Sequence, residues 1–148
     1  MPNILHRVGI KTASIDDVYR ALTTEGGLAG WWTTNTNGEG DKVGNIIQFR
    51  FGAGGFDMRV KKLNAPNLVE WELAEGPEEW MPTTISFELK QDGDYIIVLF
   101  KHLNWKEPVE FMHHCSTKWA LFLISLKSLI ETGTGQPDPI DIKIDNWN

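Results

Sequence analysis

The sequence has little of what disulfides, membrane spans and secretion signals require. It contains a single cysteine, Cys115, in 148 residues, which excludes an internal disulfide and fits a reducing compartment. No segment approaches the ~20 consecutive apolar residues of a membrane-spanning helix. Residues 1–11 contain no apolar core of the length that a signal peptide needs. These absences predict a cytoplasmic protein that does not insert into a membrane.

Positive charge is also scarce. Lys and Arg number 14 against 20 Asp and Glu, so the formal net charge is −6. An acidic chain without a run of basic residues is poorly suited to bind nucleic acid or an anionic membrane surface. Tryptophan, by contrast, is abundant, with seven residues, and this favours an aromatic-lined interior or interface. The length indicates one domain with a sizeable core.

The longest periodic segment runs from Pro108 to Thr132. Apolar residues recur there at alternating intervals of three and four, which places them on one stripe of an α-helix. Pro108 suits a first helical position and Gly133 suits the residue just past the end. A helix of roughly 25 residues is about 37 Å long. The stripe consists of Met112, Cys115, Trp119, Phe122, Leu126 and Leu129.

The chain before this helix reads mainly as strands. Apolar and polar residues alternate in about six segments joined by short turns, which predicts antiparallel neighbours with one apolar face. The segments are 3–11, 45–51, 56–63, 68–74, 81–90 and 95–103. The 81–90 segment predicts Met81 and Thr83 facing inward, with Thr84 and Ser86 facing outward. The long helix is expected to cover the apolar face of the sheet.

Two short helices are predicted after the first strand. Ser14 suits an N-cap, with Asp17 three residues later. Gly26 and Gly27 are expected to end this helix, and a second short helix or turn is expected over 28–32. We therefore predict a single α+β domain over 1–133, with 134–148 as an extended tail.

Two segments resemble a known family. Residues 13–23 read ASIDDVYRALT and are followed by the Trp31–Trp32 pair, and residues 119–133 read WALFLISLKSLIETG. Both resemble the family of activators of the heat shock protein ninety ATPase, within the START-like (Bet v 1-like, SRPBCC) superfamily. The resemblance covers roughly 4–133. It implies a helix-grip fold, in which a six- or seven-stranded antiparallel sheet wraps around the C-terminal helix, often with an internal pocket. It implies no shared catalytic residue, and fold alone does not license an activity.

The inward-facing side chains are candidates for a ligand pocket, because such pockets are mostly apolar with few polar groups. The alternative is that they fill the space themselves, and the sequence leaves both open. Thr83 is the polar member of the set, although threonine is also simply a good strand former. The candidate ligand-binding residues are Phe49, Phe51, Met58, Trp71, Thr83, Ile85, Phe87, Met112, Cys115 and Trp119, with Phe122 beside them.

Residues suited to chemistry are few. His6 shares the apolar face of the first strand, and with Thr83 and Tyr95 it is the nearest approach to a catalytic set. A satisfied core or edge histidine is the more ordinary interpretation of His6. His113 and His114 are adjacent on the helix and diverge by about 100°, so they cannot readily bind one metal together. Cys115 lies on the buried stripe and reads as a core residue rather than a nucleophile. The sequence therefore indicates no metal, no cofactor and no catalytic residue.

The last strand is apolar on both faces. Ile96, Val98 and Phe100 alternate with Tyr95, Ile97 and Leu99. One face should contact the helix, and the other needs a cover because large exposed apolar patches are uncommon. We hypothesise that the isoleucine-rich tail or a second subunit lies over it. The sequence leaves a monomer and a homodimer open.

Three functions follow in order of preference. The first is a binding protein for a small hydrophobic molecule held between the sheet and the long helix. The second is a co-chaperone-like or stress-related protein that binds a partner, which the family resemblance alone motivates. The third is a cyclase- or hydrolase-type enzyme, which would need several convergent polar groups in the pocket.

Overall fold

One antiparallel sheet wraps around the long C-terminal helix in the computed structural model, which describes residues 1–12 and 14–148. The strand order is β1-β7-β6-β5-β4-β3-β2. This confirms the predicted α+β helix-grip fold with two short helices after the first strand. The elements are β1 Ile4–Lys11, α1 Ile15–Thr23, α2 Glu25–Trp31, β2 Thr36–Asn37, β3 Ile46–Phe51, β4 Gly54–Asn64, β5 Leu68–Glu75, β6 Thr84–Asp92, β7 Tyr95–Leu103 and α3 Glu110–Thr132.

The two short helices are capped by hydroxyl side chains. Ser14 caps α1, as predicted, because its hydroxyl accepts a hydrogen bond of 3.1 Å from the Asp17 backbone N–H. The predicted break at Gly26 and Gly27 is wrong, since both glycines lie inside α2. The break between the helices lies two residues before Gly26, at Thr24, whose hydroxyl accepts from the Gly27 N–H. Ala13, the first residue of the segment that carries the family resemblance, lies outside the described residues.

Helix α3 keeps the predicted stripe and end. Gly133 ends it in the left-handed conformation with φ of 87°, which glycine adopts without steric cost. The start is two residues later than predicted, at Glu110, because Val109 is the extended N-cap and Pro108 precedes it. All members of the stripe are buried or half-buried: Met112, Cys115, Trp119, Phe122, Leu126 and Leu129.

The start of β6 differs most from the prediction. Glu78–Trp80 forms a 3₁₀ turn, so Met81 is 52% exposed instead of facing inward. Thr83 precedes the strand and is buried. Thr84 and Ser86 were expected to be exposed, yet both are buried. Ser86 lies opposite Glu70 on β5 and Lys101 on β7, and these long side chains flank a short one.

Aromatic rings fill most of the space between sheet and helix. Trp32, which follows α2, lies 4.3 Å from Phe49 and 5.0 Å from Trp119 between ring centroids. Phe87 packs edge-on against Trp71 at 5.1 Å. Such offset and edge-to-face pairs add to the burial energy of the rings. Trp32 therefore joins α2, the sheet and α3 into one core.

The edge of β1 is covered by the side chains of α3. Lys127 donates to the Gly9 carbonyl at 2.5 Å, and the Lys11 backbone N–H donates to Glu131 at 2.7 Å. The ring of His6 faces the same helix. An edge strand with satisfied backbone groups resists pairing with other chains.

The tail, residues 134–148, packs against α3 and the end of α2. Gln136 N–H donates to the Ser125 hydroxyl at 2.7 Å, and the Asp138 N–H donates to the Trp32 carbonyl at 2.8 Å. The hypothesis that the tail covers the outer face of β7 is therefore wrong. On that face Ile97 is buried between neighbouring strands, whereas Tyr95 remains exposed.

The described helices include none that is long and apolar enough to cross a membrane.

Candidate functional site

A cavity of about 480 Å³ lies between the β3–β4 hairpin and the first half of α3. This volume is in the range of small-molecule binding sites. The cavity reaches the surface at Gly54, Glu79 and Trp147, all of which are exposed. Its inner walls carry seven aromatic side chains: Trp32, Phe51, Phe56, Trp80, Phe111, Trp119 and Phe122.

The aromatic walls are built by four parts of the fold: the end of α2, which supplies Trp32, the β3–β4 hairpin, the 3₁₀ turn and α3. The hairpin supplies Phe51 and Phe56, which stand 5.5 Å apart on adjacent strands. The 3₁₀ turn supplies Trp80, which stacks on Phe56 at 4.0 Å with the planes 11° apart. Trp119 and Phe122 come from the buried stripe of α3. Since each ring packs against another ring, the side chains of these apolar walls support one another.

Cys115 is the sulfur-bearing residue of the cavity wall. It is 5% exposed, and burial raises the pKa of its thiol to about 12. The indole N–H of Trp80 partly offsets this effect, and the charge of Glu79 adds to it. The Trp80 N–H lies near the thiol without meeting the geometry of a hydrogen bond. A thiol with so high a pKa is a poor nucleophile at neutral pH.

Lys118 brings a positive charge to the cavity wall, and the tail neutralises it. Its Nζ forms a buried ion pair with Asp141 and donates to the Ile142 carbonyl at 3.0 Å. Burial alone would raise the pKa of Asp141. Hydrogen bonds and charge from Lys118 and Lys143 outweigh this and hold that pKa below its ordinary value. Lys118 also lies 5.0 Å above the Phe122 ring, a cation–π distance.

His114 and the end of the tail form the outer rim of the cavity. The imidazole Nδ1–H of His114 donates to Asp145 at 2.7 Å, and this bond holds the pKa of Asp145 below its ordinary value. The Trp147 ring lies 5.5 Å from His114 and 6.4 Å from Phe111. Trp147 and Asn148 therefore belong to the cavity wall although they are the last residues of the chain.

A buried histidine that sequence reasoning missed lies behind the cavity wall. His102 on β7 is fully buried, and burial lowers its pKa to about 3, so it is neutral. Its Nδ1 accepts from the Trp119 indole at 3.1 Å, and its Nε2–H donates to Thr83 at 3.0 Å. Thr83 in turn donates to the Trp80 carbonyl at 2.7 Å. The signal was available, because His102 continues the alternation of Val98 and Phe100 toward the helix.

The structure brings three of the ten predicted ligand-binding residues to the cavity: Phe51, Cys115 and Trp119. Phe122, named beside them, lines it as well. Met112 is half-buried on α3 and does not line the cavity. The remaining six are buried in the core away from it: Phe49, Met58, Trp71, Thr83, Ile85 and Phe87. Side chains thus fill most of the space between the sheet and α3, whereas one end of this space is open.

The three residues considered for catalysis do not meet. His6 donates to the Ser116 carbonyl of α3 at 3.0 Å. Thr83 contacts His102, whereas Tyr95 lies seven positions from His102 along β7, roughly 23 Å away at 3.3 Å per residue. Among the described residues no group of three or more His, Cys, Asp or Glu is placed to hold a metal ion. The two cationic or imidazole side chains of the cavity wall, Lys118 and His114, are paired with Asp141 and Asp145 of the tail.

Comparison with known proteins decides the family. The family described as Activator of Hsp90 ATPase homolog 1-like protein matches residues 12–131, most of the chain. This protein belongs to that family. The sequence matches none of the curated proteins to which it was compared.

Solved structures agree with this assignment. The chain is 48% identical to the Aha1 dimer of Colwellia psychrerythraea, with a TM-score of 0.84, and the match covers 91% of this chain and all of that one (100%). A protein from Staphylococcus saprophyticus has the same fold at 14% identity, with a TM-score of 0.75 and coverage of 90% and 95%. A Bacillus halodurans protein does so at 19% identity, with a TM-score of 0.71 and coverage of 88% and 98%. These last two likenesses concern the fold alone.

Proposed function

We propose that this member of the Activator of Hsp90 ATPase homolog 1-like family binds a small, flat, apolar molecule in the cavity beside α3. The observation that carries the proposal is the cavity of about 480 Å³ walled by stacked aromatic side chains. Aromatic walls favour planar, weakly polar ligands through stacking and burial of apolar surface. The proposed contacts include Phe51, Cys115 and Trp119, which the sequence already suggested.

The polar groups around the cavity are suited to tolerate a neutral ligand. Lys118 is neutralised by Asp141, and His114 is hydrogen-bonded to Asp145. Because Lys118 and His114 are already paired, an anionic ligand would have to displace Asp141 or Asp145 before it gained a partner. A neutral aromatic molecule meets no such cost.

Native mass spectrometry of the protein as purified from cells tests the proposal first. We expect a retained small molecule that is released under denaturing conditions. The neutral fluorescent probe N-phenyl-1-naphthylamine should also bind the ligand-free protein with a single site per chain. An unliganded native mass together with no saturable probe binding would contradict the proposal.

A pair of substitutions at Cys115 locates the binding site. Cys115→Phe places a ring into the cavity and should abolish probe binding, whereas Cys115→Ala leaves the cavity open and should retain it. Unfolding curves of both variants check that the fold persists. Equal probe affinity in the two variants would place the binding elsewhere.

A second candidate function is partner binding of the co-chaperone kind. It is supported by the family description and by the relative from Colwellia psychrerythraea, which is called Aha1 and is a dimer. For this chain we propose a homodimer through the outer face of β1 and β7, where Leu5 is 64% and Tyr95 42% exposed. Leu99 lies half-buried on the same face.

Two measurements test the second candidate separately. Light scattering should give twice the monomer mass, and Leu5→Lys should restore the monomer; a monomeric wild-type protein overturns the dimer. Stimulation of the ATPase activity of Hsp90 would support the co-chaperone function, and unchanged activity at saturating protein would remove it. We place the protein in the cytoplasm on the single reduced cysteine, which fractionation of cells can check.

A further inference from the structure

We propose that Trp147 is the gate and size-selecting residue of the cavity, and that the terminal turn, residues 144–148, opens and closes it. This inference rests on the proposed ligand-binding function and adds to it a specificity-determining residue. The side chain of Trp147 stands on the rim of the cavity, is 50% exposed and packs on His114 and Phe111. Of the aromatic residues that line the cavity in the described part of the protein, the other Trp and Phe side chains are all buried or half-buried.

The terminal turn is a defined structure that aims Trp147 at the cavity. The Asp145 side chain accepts from the backbone N–H of Trp147 at 2.8 Å and from that of Asn148 at 3.3 Å. The Ile144 N–H donates to the Asn148 carbonyl at 2.7 Å. Such a side-chain-to-backbone turn fixes the chain direction without a core of its own. Asp145 therefore links the turn to α3 through His114 and orients Trp147 at the same time.

Few contacts attach the terminal turn to α3, and the hydrogen bonds among them are polar. Behind it, the tail is fixed by the buried Lys118–Asp141 pair. Beyond Asp141 the chain is held by Lys118 on the Ile142 carbonyl and by His114 on Asp145. The side chains of Ile142 and Trp147 are 54% and 50% exposed, so this part of the tail is only partly buried. Segments with few buried apolar contacts open locally at low free energy, whereas the aromatic walls stay in place.

The match to the family ends at residue 131, before the tail begins. The wall formed by Trp147 thus lies outside the part of the chain that the family pattern describes. With Trp147 in place, the occupant must fit between its ring and the inner rings Trp80, Trp119 and Phe122. When the turn is released, a longer molecule can enter and protrude.

The first test needs no ligand. Cys115 is the only cysteine of the chain and lines the cavity, so its reaction with methyl methanethiosulfonate reports access. Trp147→Ala should raise the reaction rate about tenfold, the change that corresponds to 1.4 kcal/mol. Trp147→Phe should restore most of the protection. Ile140→Ala, at a 64% exposed site of the same tail, is the matched control and should react as the wild-type protein does.

The second test uses N-phenyl-1-naphthylamine in stopped-flow mixing. If Trp147 gates the cavity, Trp147→Ala should raise both the association rate and the dissociation rate of the probe. A change in dissociation alone would make Trp147 a passive wall and overturn the gate. If the wild-type protein binds no probe, the proposed function fails, while the Cys115 rates still decide the gate. Equal Cys115 rates in all four proteins, with unchanged unfolding curves, overturn it.

Discussion

The indole N–H of Trp119 donates a hydrogen bond to Nδ1 of His102, with 3.1 Å between the two nitrogens. Since an indole nitrogen can only donate, Nδ1 must be unprotonated and Nε2 must carry the proton. The bond from Nε2 to Thr83 and the bond from Thr83 to the Trp80 carbonyl then have fixed directions. This series of hydrogen bonds links α3, β7 and the 3₁₀ turn, and it includes Trp119 and Trp80, whose rings line the cavity.

The buried His102 predicts a pH-dependent stability. Its pKa in the folded protein is about 3, against 6.5 for an ordinary histidine. Between these two pH values the unfolded protein binds a proton at His102 and the folded protein does not. The stabilisation is complete above pH 6.5 and is lost as the pH falls from 6.5 toward 3, by a total on the order of 4 kcal/mol. Urea unfolding at pH 7, 6, 5 and 4 measures it.

Two variants separate this effect from other titrations. His102→Gln removes the titrating group and should flatten the fall between pH 6.5 and 4. His113→Gln, at an exposed position on α3, should keep the wild-type slope. Parallel curves for the wild-type protein and His102→Gln would contradict the assignment.

Thr83→Val should destabilise the protein although valine has nearly the same shape. It leaves the His102 Nε2–H without its partner, which costs about 1–3 kcal/mol, and it removes one of the two hydrogen bonds to the Trp80 carbonyl, which keeps the bond from the backbone N–H of residue 83. Thr84→Val is the matched control, because Thr84 is also buried but its side chain makes no hydrogen bond in the described part of the protein. Chemical denaturation of both variants checks the difference, and equal losses would show that the hydroxyl of Thr83 is unimportant.

Gly55→Ala should disrupt the hairpin wall of the cavity, whereas Gly54→Ala should be tolerated. A Cβ on Gly55 would lie 2.0 Å from the Phe49 carbonyl oxygen, which the paired strand cannot move away. A Cβ on Gly54 meets nothing within 4 Å. We expect a loss of about 1–3 kcal/mol or more at Gly55 and little at Gly54. Thermal unfolding and probe binding measure both variants, and an equally stable Gly55→Ala would show that the hairpin can shift.

The Cys115 thiol should resist disulfide reagents in the folded protein. A pKa of about 12 gives roughly a thousandfold less thiolate at pH 8 than an ordinary cysteine. Reaction with dithionitrobenzoate should therefore be slow in buffer and complete within minutes in urea. Rapid labelling of the native protein, with the fold intact, would show that the thiol is not buried as described.

Regular alternation in the sequence predicted the strands well where turn residues marked their ends. β7 has the predicted bounds, and β5 is extended by a single residue. The prediction failed at Met81, because the 3₁₀ turn at Glu78–Trp80 interrupts an otherwise regular alternation. It failed again at Gly26 and Gly27, where the Thr24 cap and the contacts of Trp31 and Trp32 outweigh the low helix propensity of glycine.

The candidate site was predicted only in part. Of the residues proposed from the sequence, Cys115 and Trp119 on the α3 stripe and Phe51 on β3 line the cavity. Trp80 lay in a segment predicted to be a loop, and His114 and Lys118 lie on the flank of the helix. Trp80 reaches the cavity because its ring stacks on Phe56. His114 and Lys118 contact the tail, which folds back along α3, and no local pattern encodes that contact.

The sequence by itself determined the sheet, the long helix and the apolar faces that meet, because hydrophobic periodicity fixes which side of each element is buried. Only the tertiary structure decided where the interior is filled and where it stays open. That outcome depends on how individual rings pack, with Trp32, Phe49, Trp71 and Phe87 filling the centre and Trp80 and Trp147 standing at the open end. The charge state of His102 and the pairing of Lys118 were likewise set by neighbours distant in the chain, since burial and long-range contacts control both.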